Sequence, residues 1–352
     1  MKDKKYLSLY RELKHKIQSG QYLPNQKIPS KRVLSDRYGV SVITVEKALY
    51  LLIEEGYITS KEKSGYFVSS LQLSPPENSN QTASFLPLEE PVEKAPRFEY
   101  DIWFKTVRKV LSEQGERLFI KSPNQGTIAL RNALSDYLLR YRNMVADPRR
   151  IIIGSGSEQL YETVVKLLGR EITYGIEDPS YEKIEAVYRA EGVRVKKLPM
   201  GRDGITRQAL RQDDFKVLHV TPFQSYPSGV TASASKRYEY IQWANDEKYI
   251  IEDDFNSEFF LPGNPIESLF SLDNNQRVIY MNTFSKSISP AIRIGYLILP
   301  QSLLPRYDEI LGNFSCTVPV LDQYILAEFL KSGDFERHLN RIRRNMNKKN
   351  PI

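Results

Sequence analysis

Three short segments carry side chains that could do chemistry together. The run Tyr280-Met281-Asn282-Thr283-Phe284-Ser285-Lys286 ends on a lysine flanked by the hydroxyls of Ser285 and Ser287, and Arg293 follows seven residues later. Such an amine can form an imine while its neighbours hold an anionic group. Glu252-Asp253-Asp254 sets three carboxylates in a row, a group that is either solvated or, if buried, in need of a cationic partner. Gly154-Ser155-Gly156-Ser157-Glu158-Gln159 is a glycine-rich turn opening a helix, where backbone N–H groups and hydroxyls can meet a phosphate. Alone, that turn is equally well a steric link between strand and helix.

The elements that must position these groups are legible as patterns. Apolar runs at 151–153, 193–197, 217–220, 249–251, 278–280 and 295–299 alternate with helical stretches such as 158–168 and 181–190. This predicts an α/β body over residues 98–352 with a mostly parallel central sheet. Ligands on such sheets gather beyond the carboxyl ends of strands, and each of the three segments follows an apolar run.

Residues 1–70 read differently. They hold 13 Lys and Arg against 7 Asp and Glu, within a chain whose net charge is +7. Residues 331–352 are also basic, so the middle of the chain is mildly acidic. A basic first domain on an acidic body suits a polyanion such as DNA, although charge alone describes a solvated face equally well. Tyr6, Leu9, Leu13 and Ile17 recur at helical spacing; Ser30 caps a second helix over 31–38 that Gly39 ends; Ser41 caps a third that runs to Gly56. Two β-prone runs, 57–60 and 66–69, follow around a charged turn. Helix, helix–turn–helix and a hairpin wing suit a DNA duplex, because the third helix can bury its apolar stripe and offer its N-terminal polar end, with Thr44 and Lys47, to the major groove.

The segment from Ile28-Pro29-Ser30-Lys31-Arg32 through Ser41-Val42-Ile43-Thr44-Val45 to Glu54-Glu55-Gly56-Tyr57-Ile58 resembles the winged helix-turn-helix of the GntR family of bacterial repressors. That resemblance puts Arg32, Ser41 and Thr44 at groove- or phosphate-contacting positions and Gly65 at the wing tip. Val42, Ile43 and Glu46 replace polar or basic residues common in the family, so the operator sequence is not read from the resemblance.

Composition narrows the remaining choices. At 352 residues, 41% hydrophobic and 26% charged, the chain is long enough for about two domains. No apolar run approaches the ~20 residues of a membrane span, and the N-terminus lacks a secretory signal pattern, which places the protein in the cytoplasm. One cysteine, Cys316, excludes an internal disulfide, and three scattered histidines make no local metal motif. Prolines among Ser, Asn, Gln and Glu mark 71–97 as a tether between the domains.

In order and spacing, with 33 residues from Asp253 to Lys286, the three segments resemble the fold-type I pyridoxal-phosphate enzymes, the aminotransferase superfamily. The resemblance implies that Lys286 forms the Schiff base and Asp253 holds the ring nitrogen. It gives Ser155, Gly156, Ser157, Ser285 and Arg293 to the phosphate, stacks Tyr181 on the ring, and sets Thr221–Gly229 beside the phenolic oxygen. Phe255 stands where relatives usually have a tyrosine, Gln224-Ser225 replaces a His-Gln pair, and Lys183 occupies the place of a carboxylate-binding arginine, a point charge without the bidentate fork. These departures imply altered cofactor affinity.

A GntR winged helix tethered to an aminotransferase-like body resembles the MocR-type regulators. Such relatives continue by roughly another 100 residues, about one small domain; the resemblance therefore implies a chain lacking the C-terminal small subdomain, by natural reduction or by truncation. A missing lid implies a wetter site with poor reaction specificity. The expectation is a homodimeric, pyridoxal-phosphate-responsive transcriptional regulator that binds operator DNA and senses an amine or amino acid. The alternatives are a working aminotransferase with an appended DNA-binding domain, and a cofactor-free regulator whose body only dimerises.

Overall fold

The computed structural model describes residues 5–61, 64–69, 98, 100–244, 247–259 and 267–349. The chain divides into two compact units, Met1–Val92 and Glu93–Ile352. The tether expected at 71–97 lies outside the described residues, as do Glu62 and Lys63 of the charged turn.

The first unit contains α1 (Lys5–Gln18), α2 (Lys31–Tyr38), α3 (Val42–Glu54), β1 (Ile58–Lys61) and β2 (Gly65–Val68). Its helix ends follow from local chemistry. The Ser30 hydroxyl accepts the Val33 N–H, Gly39 takes the left-handed conformation that ends α2, and the Ser41 hydroxyl accepts the Thr44 N–H to start α3. Apolar residues at helical spacing, Leu9, Leu13 and Ile17 on α1 with Val45, Leu49 and Leu52 on α3, close the core together with Ile58 and Val68. The wing is antiparallel with Ile58 opposite Val68, and each strand lies one residue nearer the turn than its pattern predicts. Tyr57 is excluded because its N–H is already used by the Leu52 carbonyl, closing the end of α3.

The second unit runs α4 (Tyr100–Gln114), α5 (Ile128–Arg142), β3 (Ile151–Gly154), α6 (Ser157–Leu168), β4 (Thr173–Asp178), α7 (Glu182–Ala190), β5 (Arg194–Gly201) and β6 (Gly204–Ile205). It continues with α8 (Arg207–Leu210), β7 (Val217–Val220), α9 (Ala234–Trp243), β8 (Tyr249–Asp253), α10 (Leu269–Leu272), β9 (Val278–Thr283), β10 (Gly295–Ile298), α11 (Leu304–Leu311), α12 (Val320–Lys331) and α13 (Asp334–Lys349). The strands form one sheet in the order β3-β10-β9-β8-β7-β4-β5-β6. From β5 to β9 every neighbour is parallel; β10 is antiparallel to both β3 and β9, and β6 is an antiparallel edge.

Helices cover both faces, so the strands are apolar on both sides. In β9, Tyr280 packs into one core layer while Ile279 and Met281 pack into the other, and β3 alternates in the same way. The strand β4 is absent from the sequence-based expectation because Thr-Tyr-Gly-Ile-Glu-Asp mixes a glycine and two acids into its run. Gly175 is needed there: a Cβ would fall 2.7 Å from Leu198 and 2.8 Å from Phe215.

Candidate functional site

Since β3 and β9 both oppose β10, and β9 parallels β8 and β4, the carboxyl ends of all four strands share one edge of the sheet. Gly295 pairs with both Gly154 and Thr283, which draws the glycine-rich turn, the lysine loop and Arg293 together. At this edge lies a cavity of about 230 Å3 lined by Ser157, Tyr181, Asp253, Ser285, Lys286 and Arg293, all expected from sequence, with Tyr161, Lys183, Tyr226, Phe255 and Thr283 among its other walls.

Its cationic end is the start of α6. Gly156 has φ 96° and provides no side-chain cap of its own. A Cβ at this position would lie 2.5 Å from Arg293 Nη2, so a larger residue would displace the guanidinium from the first helical turn, and the positive φ itself favours glycine. Helix N–H groups, the Ser157 hydroxyl and the Arg293 guanidinium are donors of the kind that can meet an anion. Neither Ser155 nor Gly156 lines the cavity, and the Ser155 N–H is donated to Gln159 Oε1 at 3.3 Å. Lys183 is ion-paired with Glu158.

Asp253 is 4% exposed, and the Tyr161 hydroxyl donates to its Oδ2 at 2.7 Å. Burial pushes the Tyr161 phenol well above its ordinary range, so it stays protonated and keeps donating. His219 Nε2 lies 3.5 Å from the same carboxylate oxygen, and Nδ1 of that ring is 2.7 Å from the Tyr188 hydroxyl.

The three-acid row is buried throughout, which overturns the solvated alternative. Strand alternation turns Asp253 to the cavity side and its neighbours away. Arg142 of α5 is the cationic partner, 2.8 Å from Asp254, which also accepts from the Tyr280 hydroxyl at 2.7 Å. Glu252 accepts the N–H groups of Leu269 and Phe270 at 2.8 Å each. Burial, with Asp254 nearby, pushes its carboxyl up to about 8.

Lys286 lies between β9 and β10 and is exposed as a residue, with enough desolvation at its amine to lower the ammonium pKa. Its Nζ donates to Asn256 Oδ1 and lies 5.1 Å from the Phe255 ring and 5.3 Å from the Phe259 ring. An amine with a lowered pKa has more of its neutral, nucleophilic form at a given pH. Asn256 Nδ2 in turn donates to the Gln224 carbonyl at 2.9 Å, tying the lysine to the 221–229 loop. There the Ser225 hydroxyl donates to Glu177, whose carboxyl is pushed up to about 8 by burial.

Tyr161, Asn256, Thr283, His219 and Arg142 are absent from the sequence-based site. Two of them left a signal: Tyr161 sits four residues after Ser157 on one helix face, and Asn256 three residues beyond Asp253.

In the first unit, Arg32, Ser41 and Lys47 are exposed and Thr44 is partly so. The Ser41 and Thr44 hydroxyls lie 2.8 Å apart. Gly65 has φ 108° at the start of β2. Glu46 is held by Lys31 at 2.7 Å. Among the described residues no helix is long and apolar enough to cross a membrane.

Residues 5–68 match the family of bacterial regulatory proteins, gntR family, and residues 77–350 match aminotransferase class I and II. The HTH-type transcriptional regulator YdeL of Bacillus subtilis is 32% identical over 99% of this chain and 78% of its own length. The probable rhizopine catabolism regulatory protein MocR of Rhizobium meliloti is 27% identical over 96% of this chain and 73% of its own. Among solved structures, an archaeal alanine:glyoxylate aminotransferase superposes with a TM-score of 0.63 at 25% identity, over 68% of this chain and 62% of that one. The chain thus spans about three quarters of these regulators and about three fifths of that enzyme. Both halves of the likeness fall within a single polypeptide, and the chain belongs to the MocR-type family of transcriptional regulators, in which a GntR winged helix is joined to an aminotransferase class I and II domain.

Proposed function

We propose that this chain is a cytoplasmic transcriptional regulator that binds operator DNA through its first unit and pyridoxal phosphate in the cavity of its second. The observation that carries the second half is the Arg293 guanidinium beside the start of α6, in one cavity with the Lys286 amine and the buried Asp253 carboxylate. Pyridoxal phosphate, when bound, supplies an aldehyde that condenses with primary amines and an electron-withdrawing ring. The residues present fit its groups. Arg293, Ser157 and the start of α6 would hold the phosphate, with Ser285 beside them. Asp253, kept in place by Tyr161, would hold the ring nitrogen in its protonated form. Tyr181 would cover the ring, and Lys286 would hold the aldehyde carbon.

Regulation follows from linkage. A cofactor or amine-bearing ligand that favours one arrangement of a homodimer changes operator affinity by the same coupling free energy, and two winged helices would meet two half-sites. The test is borohydride reduction of the full chain after incubation with pyridoxal phosphate. Mass spectrometry should find one adduct on Lys286, absent from Lys286→Ala; no adduct on that residue sinks the proposal. Rapid, sustained conversion of a keto acid with amino donors would replace the sensor reading with an enzymatic one.

A further inference from the structure

We propose that Val42 and Ile43 on the first turn of α3 read thymine 5-methyl groups in the major groove of the operator; this rests on the DNA-binding reading given above. The helix has two distinct sides. Val45, Ala48, Leu49 and Leu52 are buried, whereas Val42, Ile43, Glu46, Lys47 and Tyr50 point the other way. Val42 is 40% and Ile43 66% exposed, adjacent β-branched residues at the helix end that enters the groove. Two aliphatic side chains held in water gain hydrophobic free energy when an apolar partner covers them.

The chemistry of the helix narrows that partner. Residues 42–54 contain no Arg, Asn or Gln, so α3 has no side chain that pairs with adenine in bidentate fashion, and Lys47 is its one side chain able to pair with guanine. The cation on this face is Lys47; the carboxylate of Glu46 is paired with Lys31, which offsets its repulsion by the phosphates. Thymine is the base that presents an apolar group in the major groove. The excess of Lys and Arg in residues 1–70 brings the face to a polyanion rather than to an apolar protein surface.

The full chain is used to enrich duplexes from a random-sequence pool, and the enriched duplex is resynthesised with deoxyuridine, which lacks only the methyl group, at each thymidine in turn. In fluorescence anisotropy at fixed salt, one or two replacements per half-site should each weaken binding by about fourfold. The V42A/I43A double variant should lose this penalty while binding unselected DNA at low salt as the parent does, a control for its fold. Equal affinity of the parent for thymidine and deoxyuridine duplexes, with salt sensitivity intact, overturns methyl reading and leaves DNA binding standing. A variant that changes oligomeric state but keeps the deoxyuridine penalty assigns the patch to contact between copies. Failure of the parent to retain any duplex at low salt overturns the DNA-binding reading itself.

Discussion

Two helix starts in this molecule solve the same problem in opposite ways. At α3 the Ser41 hydroxyl accepts the Thr44 N–H, so the chain caps its own first turn with a side chain, and what it offers outward is side chains. At α6 the residue in the capping position is Gly156, without a side chain, and the Arg293 guanidinium is packed against it. A helix start that caps itself presents a reading face. One that leaves its donors to be met from outside can accept an anion, the role proposed for α6. Charge is handled with the same contrast. The ion pairs of the winged helix, Lys14–Glu55 and Lys31–Glu46, lie at the surface, whereas the body buries Glu177, Glu252, Asp253, Asp254 and Glu258.

Breaking the second kind of helix start should have the largest effect. Gly156→Ala puts a methyl into the space of the Arg293 side chain at a backbone angle that L-residues resist, and pyridoxal-phosphate affinity, followed by absorbance titration, should fall on the order of 100-fold. Retention of parental affinity would mean that the start of α6 is not an anion site. Burial pushes the Glu258 carboxyl up to about 7, against the lowering influence of Ser287 and Arg142. A carboxyl whose folded pKa is raised stabilises fully below its ordinary value near 4.5, and that contribution is lost as pH rises through 7. Glu258→Gln should therefore leave unfolding free energy nearly unchanged at pH 4 and raise it by about 3 kcal/mol at pH 8, measured by urea denaturation. An equal change at both pH values would show that the carboxyl does not titrate in this window. The smallest effect belongs to the self-capped helix: Ser41→Ala should cost about 1 kcal/mol of winged-helix stability and leave cofactor binding untouched.

What was legible in the sequence was what depends on near neighbours. Ser30, Gly39 and Ser41 mark helix ends because capping acts over three or four residues, and the apolar runs of β3, β7, β8 and β9 announce buried strands. The residue types at 253, 286 and 293 were visible too, because an amine, a carboxylate and a guanidinium stand out at the ends of such runs. The groups that give those residues their environment were not. Arg142 reaches Asp254 from 112 positions away and Tyr161 reaches Asp253 from 92, contacts that only the packed sheet creates. The strand β4 was hidden for a related reason, since Gly175 is set by what Leu198 and Phe215 require rather than by strand preference.

The loop that carries Lys286 bridges two hydrogen-bonded antiparallel strands, with Phe284 and Ile288 sunk in the core and the Phe284 N–H bonded to the Ile294 carbonyl. That mooring links the amine to β9 and β10, and through β10 to the strand that leads into α6, so the lysine and the helix start are held by one set of paired strands.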